Sequence, residues 1–132
     1  CTTYTPEDHA LMGEKGVIRK IDHITDRTVI LTDTFNSGTD YQIEKPKLVQ
    51  FYPDTLFWTS THIGGPAKHS QFIYQITEES ANFSRLDFTG LLLDYGDTKM
   101  SESETAKRIE KTCKEDAKTW ERLAKAMEQD LC

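Results

Sequence analysis

Residues 17–35 have the sequence VIRKIDHITDRTVILTDTF. Two runs rich in β-branched residues, 17–24 and 28–35, flank the short connection Thr25-Asp26-Arg27. This pattern predicts two strands joined as a β-hairpin. The rest of the fold follows from what continues beyond this hairpin.

Further strands are predicted along the chain as far as Tyr95. They cover residues 47–52, 55–63, 69–77 and 83–95. The loops between them carry turn residues, as in Pro53-Asp54 and Gly64-Gly65-Pro66-Ala67. Because short connections force neighbouring strands to be antiparallel, residues 17–95 are predicted to form an antiparallel meander of about six strands. The polar residues 1–16 are predicted to be a lead-in segment.

After Gly96 the periodicity becomes that of a helix. Ser101-Glu-Ser-Glu104 matches a capping box. Apolar residues then recur at steps of three and four: Ala106, Ile109, Cys113, Ala117, Trp120, Leu123, Ala124, Met127 and Leu131. This predicts one amphipathic helix over residues 101–131, about 45 Å long. We expect its apolar stripe to face the concave side of the sheet and to leave a gap there, because a twisted sheet curls away from a straight helix.

The composition and the motifs of the chain argue against several classes of function. The 132 residues fit one domain, and the net charge of −6 disfavours binding to nucleic acid or to an anionic membrane surface. No apolar run is long enough to span a membrane, and no phosphate-binding glycine loop or nucleophile elbow is present. Three cysteines without metal-like spacing predict reduced thiols in a cytoplasmic protein. No cofactor is predicted. An acylated Cys1 in a lipoprotein is the alternative.

The succession of six strands and a long C-terminal helix, over Gly16–Leu131, resembles the START/Bet v 1-like (polyketide cyclase-like) superfamily. Ser84-Arg-Leu-Asp-Phe-Thr-Gly90 in the last strand adds to the likeness. The resemblance implies an α+β helix-grip fold in which a curved antiparallel sheet grips the C-terminal helix around a hydrophobic cavity. Members normally begin with a strand and two short helices, which residues 1–16 do not predict. An open side would favour a homo-oligomer. No catalytic residue is shared across the superfamily.

The stretch around Gly64-Gly65 contains two histidines. A four-residue loop over 64–67 would place His62 opposite His69, with Cβ atoms roughly 5 Å apart. Two histidines alone do not complete a zinc site, which takes three or four protein ligands, so we predict no metal. They are strand-end residues, or hydrogen-bond donors to a ligand carboxylate or carbonyl, and the glycine loop is a possible gate.

Side chains on the strands and helix are predicted to line the cavity. They are Tyr41, Trp58, His62, His69, Phe72, Tyr74, Phe88, Trp120 and Met127. The alternative is that these residues only pack in a core. Asp33 is an inward carboxylate unless the strand slips by one residue. Arg85 and Asp87 are predicted to form a cross-strand surface ion pair, and Cys113 to be a packed thiol.

The sequence therefore predicts the binding or carriage of an apolar or amphipathic small molecule, lipid- or polyketide-like. An enzyme of the cyclase or hydratase type is one alternative, and it would need a charged group with a shifted pKa in the cavity. A protein-interaction module that uses the helix face or an open sheet edge is the other.

Overall fold

The structure is a computed structural model that describes residues 17–95 and 99–130, without the side chains of residues 127, 129 and 130. These residues belong to two compact units, the first covering 17–95 and the second containing the helix, and each is described by itself. The predicted lead-in segment 1–16 lies outside the described residues.

The first unit is one antiparallel sheet whose six strands follow their order in the chain. The strands are β1 (Ile18–Thr25), β2 (Thr28–Phe35), β3 (Ile43–Tyr52), β4 (Phe57–His62), β5 (Gln71–Ser80) and β6 (Phe83–Leu91). The predicted meander is therefore confirmed. The pairing is irregular at His23/Thr25 in β1 and at Glu78/Ser80 in β5.

Strand β3 begins four residues earlier than predicted and contains Pro46. A proline removes a backbone donor and is tolerated only where no ladder bond is needed. The Pro46 carbonyl accepts a hydrogen bond from Ile63 N, and Ile63 lies just past the end of β4. The backbone nitrogen of Pro46 faces the same side, where the pairing of β3 with β4 has already ended, so its missing N–H leaves no ladder bond unmade. Strand β4 begins at Phe57 because Leu56 has left-handed backbone (φ 49) after a short 3-10 turn at Pro53–Thr55.

One face of the sheet is buried. Alternate residues of β2 and β4 are the least exposed, and the strand register brings them to the same side. We call this side the buried face, and its buried members are Val29, Leu31, Asp33, Val49, Trp58, Ser60 and His62. Three of these seven side chains are polar, which is unusual for a core and makes them candidates for a functional site.

The second unit contains the helix α1 (Glu102–Asp130). Its predicted capping box is confirmed, because Ser101 N donates to Glu104 Oε2 at 2.9 Å and Glu104 N donates to Ser101 Oγ at 3.3 Å. No helix among the described residues is long and apolar enough to cross a membrane.

The predicted apolar stripe of α1 is buried only in part. Leu123 is 2% exposed and Trp120 is half-buried, but Ile109 is 52% exposed. The prediction that Cys113 is a packed thiol is wrong, since this side chain is exposed. Helical periodicity places Cys113 and Ile109 on one side of the helix, but it does not determine whether another part of the protein covers them. Leu131 and the side chain of Met127 lie outside the described residues.

Two glycines in left-handed conformation allow a matched test of the loop after β4. Gly65 (φ +75) packs on β3, where an added Cβ would lie 2.6 Å from the Glu44 carbonyl oxygen, whereas Gly38 (φ +78) has nothing within 4 Å. Both alanine variants suffer backbone strain, but only Gly65→Ala also displaces β3. We expect Gly65→Ala to lower the free energy of unfolding by about 1 kcal/mol more than Gly38→Ala, measured by urea denaturation. Equal losses would show that the loop is not packed on β3.

Candidate functional site

A charged triad crosses three neighbouring strands on the buried face. Arg19 pairs with Asp33 in the β1–β2 register. The Arg19 guanidinium donates to both carboxylate oxygens of Asp33, Nε to Oδ1 at 2.6 Å and Nη2 to Oδ2 at 2.7 Å. Lys47 Nζ donates to Oδ2 at 2.8 Å. The Asp33 side chain is 1% exposed, Arg19 5% and Lys47 21%, so one carboxylate faces two cations in a place that water hardly reaches.

The Asp33 carboxylate is strongly held in its charged form. Burial by itself raises the pKa of this carboxyl, but the hydrogen bonds from Arg19 and the charge and hydrogen bond of Lys47 outweigh that effect and hold the pKa well below its ordinary value. The prediction that Asp33 is inward is confirmed. Its partners make it a binding or structural group rather than a proton donor at neutral pH.

His62 lies beside the triad, directly opposite Lys47 in the β3–β4 register. The residue is 9% exposed, and its Nδ1 is the one buried side-chain nitrogen or oxygen without a hydrogen-bond partner in the described part of the chain. Burial, together with the positive charges of Lys47 and Lys45, lowers the pKa of the imidazole from 6.5 to about 4. His62 is therefore a neutral imidazole at physiological pH, buried with an unused polar atom.

An aromatic cluster, made up of Trp58, Phe72, Tyr74 and Phe88, continues from His62 over the same face. Trp58 stacks on Tyr74 with ring centroids 4.7 Å apart, and Tyr74 lies 5.2 Å from Phe88. Phe88 stacks on Phe72 at 5.7 Å, and the His62 ring meets Phe72 edge-on at 5.6 Å. Trp58 is 5% exposed, while the other three members are half-buried, so the cluster keeps accessible ring surface.

A glycine makes room for one of these rings. Gly90 pairs with Phe72 across β5 and β6, and an added Cβ on Gly90 would lie 2.8 Å from Phe72 Cδ1. The Phe72 ring therefore lies over the bare backbone of β6. This contact holds Phe72 between His62 and Phe88, and so connects the polar end of the face to its aromatic end.

The predicted pairing of His62 with His69 is wrong. Thr61 pairs with Gln71, which shifts the register by one residue, and His69 lies in the loop with φ 71 and an exposed side chain. His69 N instead donates to the His62 carbonyl at 2.8 Å. The loop spans residues 63–70 rather than 64–67, because internal turns at Lys68 and Ser70 and the contact of its glycines with β3 lengthen it. This packing gives no support to the predicted gate.

The structure brings together five of the nine residues predicted to line a binding site: Trp58, His62, Phe72, Tyr74 and Phe88. Tyr41 lies in the loop between β2 and β3 and is 81% exposed. His69 lies in the loop after β4, and Trp120 belongs to the second compact unit. The side chain of Met127 lies outside the described residues.

The predicted ion pair of Arg85 and Asp87 is present, but it runs along β6 and not across strands. Arg85 Nε lies 3.0 Å from an Asp87 oxygen, because residues two apart in a strand share a face. The cross-strand partner is Glu79 of β5, 2.9 Å from Arg85 Nη1. All three side chains are about half exposed, so the pair belongs to the surface as predicted.

Sequence reasoning missed Arg19 and Lys47. A signal for Arg19 existed, because a hairpin with the three-residue connection 25–27 pairs position 24 with 28 and hence position 19 with 33. No such signal existed for Lys47, since the loop between β2 and β3 is too long to set a register from its own residues.

Within residues 17–95 and 99–130, no group of three or more His, Cys, Asp or Glu side chains could hold a metal ion. Comparison of the chain with known protein families, with curated proteins and with solved structures gives no match.

Proposed function

We propose that the protein binds or carries an apolar or amphipathic small molecule, and that the buried face of the sheet is its binding surface. The observation that carries this proposal is the aromatic cluster with three half-buried rings in mutual contact. Aromatic side chains give up large areas to an apolar ligand and orient it through ring stacking. The START-like helix grip expected from the sequence would supply the same kind of ligand site, and it stays a prediction.

The arrangement of the rings in the aromatic cluster supports its role as a binding surface. The rings form a continuous path from Trp58 through Tyr74 and Phe88 to Phe72. The path ends at His62, which lies beside the charged triad, so charged groups lie at that end. A surface that is aromatic at one end and charged at the other suits an amphipathic molecule, since few well-placed polar groups fix orientation in a mainly apolar site.

The binding test uses N-phenyl-1-naphthylamine, a neutral probe whose fluorescence rises when it leaves water. We expect saturable binding in the micromolar range, and a loss of about threefold to tenfold in affinity for Phe88→Leu, because ring contacts contribute about 0.5–1.5 kcal/mol. Phe57→Leu is the matched control, because Phe57 lies on the opposite face of the sheet, next to Tyr52. Absence of saturable binding, or equal losses in the two variants, would contradict the proposal.

A second candidate function is an enzyme of the cyclase or hydratase type, favoured by the lowered pKa of His62. A neutral imidazole accepts a proton in general base catalysis, and a nearby Lys47 stabilises the negative charge that then develops. If the protein is such an enzyme, the wild-type protein converts the compound that it binds into a product, whereas His62→Phe leaves this compound unconverted. A carrier returns the same compound unchanged in both.

A further inference from the structure

The buried imidazole of His62 has a nitrogen, Nδ1, without a hydrogen-bond partner in the described part of the chain. Both backbone groups of His62 are satisfied, since its N donates to the Ser70 carbonyl at 2.9 Å and its carbonyl accepts from His69 N at 2.8 Å. Nδ1 is itself a buried atom that lacks such a partner within the described residues. Buried polar atoms nearly always have partners, and an unpaired one costs about 1–3 kcal/mol. An incoming ligand atom that satisfies Nδ1 recovers this cost.

The charges around His62 define which ligand atom fits. Arg19 and Lys47 face the single carboxylate of Asp33, and Lys45 Nζ lies 4.4 Å above the Phe35 ring on the same face. Among the described residues, the charged groups that act on His62 are Lys47 and Lys45, which are positive, and Asp33, which is negative and already paired with Arg19. Its β5 neighbour Phe72 is uncharged. This excess of positive charge favours an anion over a neutral or cationic group.

Lys47 and His62 are placed to share that anion. Directly paired residues of neighbouring strands have Cβ atoms about 5 Å apart. A lysine ammonium carries three donors, and Asp33 accepts one of them at 2.8 Å. A neutral imidazole protonated at Nδ1 donates from that atom. Two donors on adjacent strands match the two oxygens of a carboxylate.

We propose that the ligand is an amphipathic carboxylic acid whose carboxylate lies between Lys47 Nζ and His62 Nδ1 and whose apolar body extends along the aromatic cluster. This assignment rests on the proposed function and names its ligand class. It also gives the orientation of the ligand, with the acid at the β3–β4 pair and the apolar end towards Trp58 and Phe88.

The test compares decanoate with decan-1-ol, which have the same chain length and differ in the head group. Each is used to displace N-phenyl-1-naphthylamine at pH 7.4. We expect decanoate to displace the probe at a concentration about tenfold lower than decan-1-ol, since hydrogen bonds to a charged group contribute about 1.5–3 kcal/mol. The net charge of −6 repels decanoate, so a preference for it comes from the local site.

Substitutions show which residue causes the preference for decanoate over decan-1-ol. Lys47→Met is expected to reduce it to about twofold or less, and Lys47→Arg to retain it, because the charged donor is kept. Lys68→Met is the matched control, since Lys68 is exposed in the loop after β4 and its removal changes the net charge equally. Equal displacement by acid and alcohol in wild type, or equal loss in Lys47→Met and Lys68→Met, would overturn the assignment. Failure of the probe itself to bind would instead overturn the proposed function.

A measurement on wild type covers the case in which Lys47→Met does not fold. We expect decanoate to raise the pKa of His62, followed by NMR of its imidazole nitrogens, by about one unit or more, because a neighbouring carboxylate favours imidazolium. Decan-1-ol should leave it in place. A His62 pKa that decanoate does not change would contradict the placement of the ligand carboxylate at Nδ1.

Discussion

Replacing Asp33 with Asn is expected to cost about 3–5 kcal/mol of the free energy of unfolding at pH 7. The variant keeps the size of the side chain but removes the one negative charge between Arg19 and Lys47. Since Arg19 is 5% exposed, its cation cannot regain water without local unfolding. Urea denaturation followed by tryptophan fluorescence measures the loss.

Asp87→Asn is the matched control for this prediction. Asp87 also pairs with an arginine, but both side chains are about half exposed, and exposed ion pairs contribute only about 0–1 kcal/mol. A loss for Asp33→Asn as small as the loss for Asp87→Asn would mean that the triad is open to solvent.

The contribution of Asp33 to stability depends on pH with a defined sign. A carboxylate with a lowered pKa stabilises the fold above its ordinary value of 3.8, and this stabilisation is lost only as the pH falls below that value.

His62 is expected to make the fold sensitive to acid in a different range. Its pKa is 6.5 when unfolded and about 4 when folded. Well above pH 6.5 the imidazole is neutral in both states and contributes no pH dependence. Between pH 6.5 and 4 the unfolded state binds a proton that the folded state does not, so stability falls by about 1.4 kcal/mol for each pH unit. From pH 7 to pH 5 we therefore expect a loss of about 2 kcal/mol from this one residue.

His62→Phe removes this loss, because Phe has no titratable group and can pack against Phe72. The measurement is urea denaturation of wild type and variant at pH 7 and pH 5. His69→Asn is the control, since His69 is exposed in the loop and Asn tolerates its left-handed backbone. A decline between pH 7 and pH 5 that persists undiminished in His62→Phe would show that His62 does not cause it.

The order and direction of the strands could be predicted from the sequence because they are determined by residues close to one another in the chain. Turn residues between short β-rich runs leave no room for a crossover, so they require antiparallel neighbours in chain order. The helix boundary was equally local, since Ser101 and Glu104 satisfy each other's backbone donors. Both predictions depend on residues within a few positions of one another.

The candidate site could be predicted only in part, because it depends on register. Asp33 faces inward only if β2 is not shifted by one residue, and the alternation of side chains leaves that choice open until β1 and β3 are placed. The shift of His69 away from His62 has the same origin. The loop that precedes β5 also packs its Gly65 near the Glu44 carbonyl, and these two residues are not related by any sequence pattern.

The open order of the sheet has a consequence for solubility at high concentration. Within the described residues, β1 and β6 each pair on one side, and exposed edges of this kind can recruit other chains into aggregates. Here β1 carries the Lys20–Asp22 ion pair and an irregular register, and β6 carries Arg85 between two carboxylates. Charges and bulges at an edge impose a desolvation and geometric penalty on an intruding strand. We therefore expect these surface ion pairs, which add little to the free energy of folding, to disfavour fibril-like stacking.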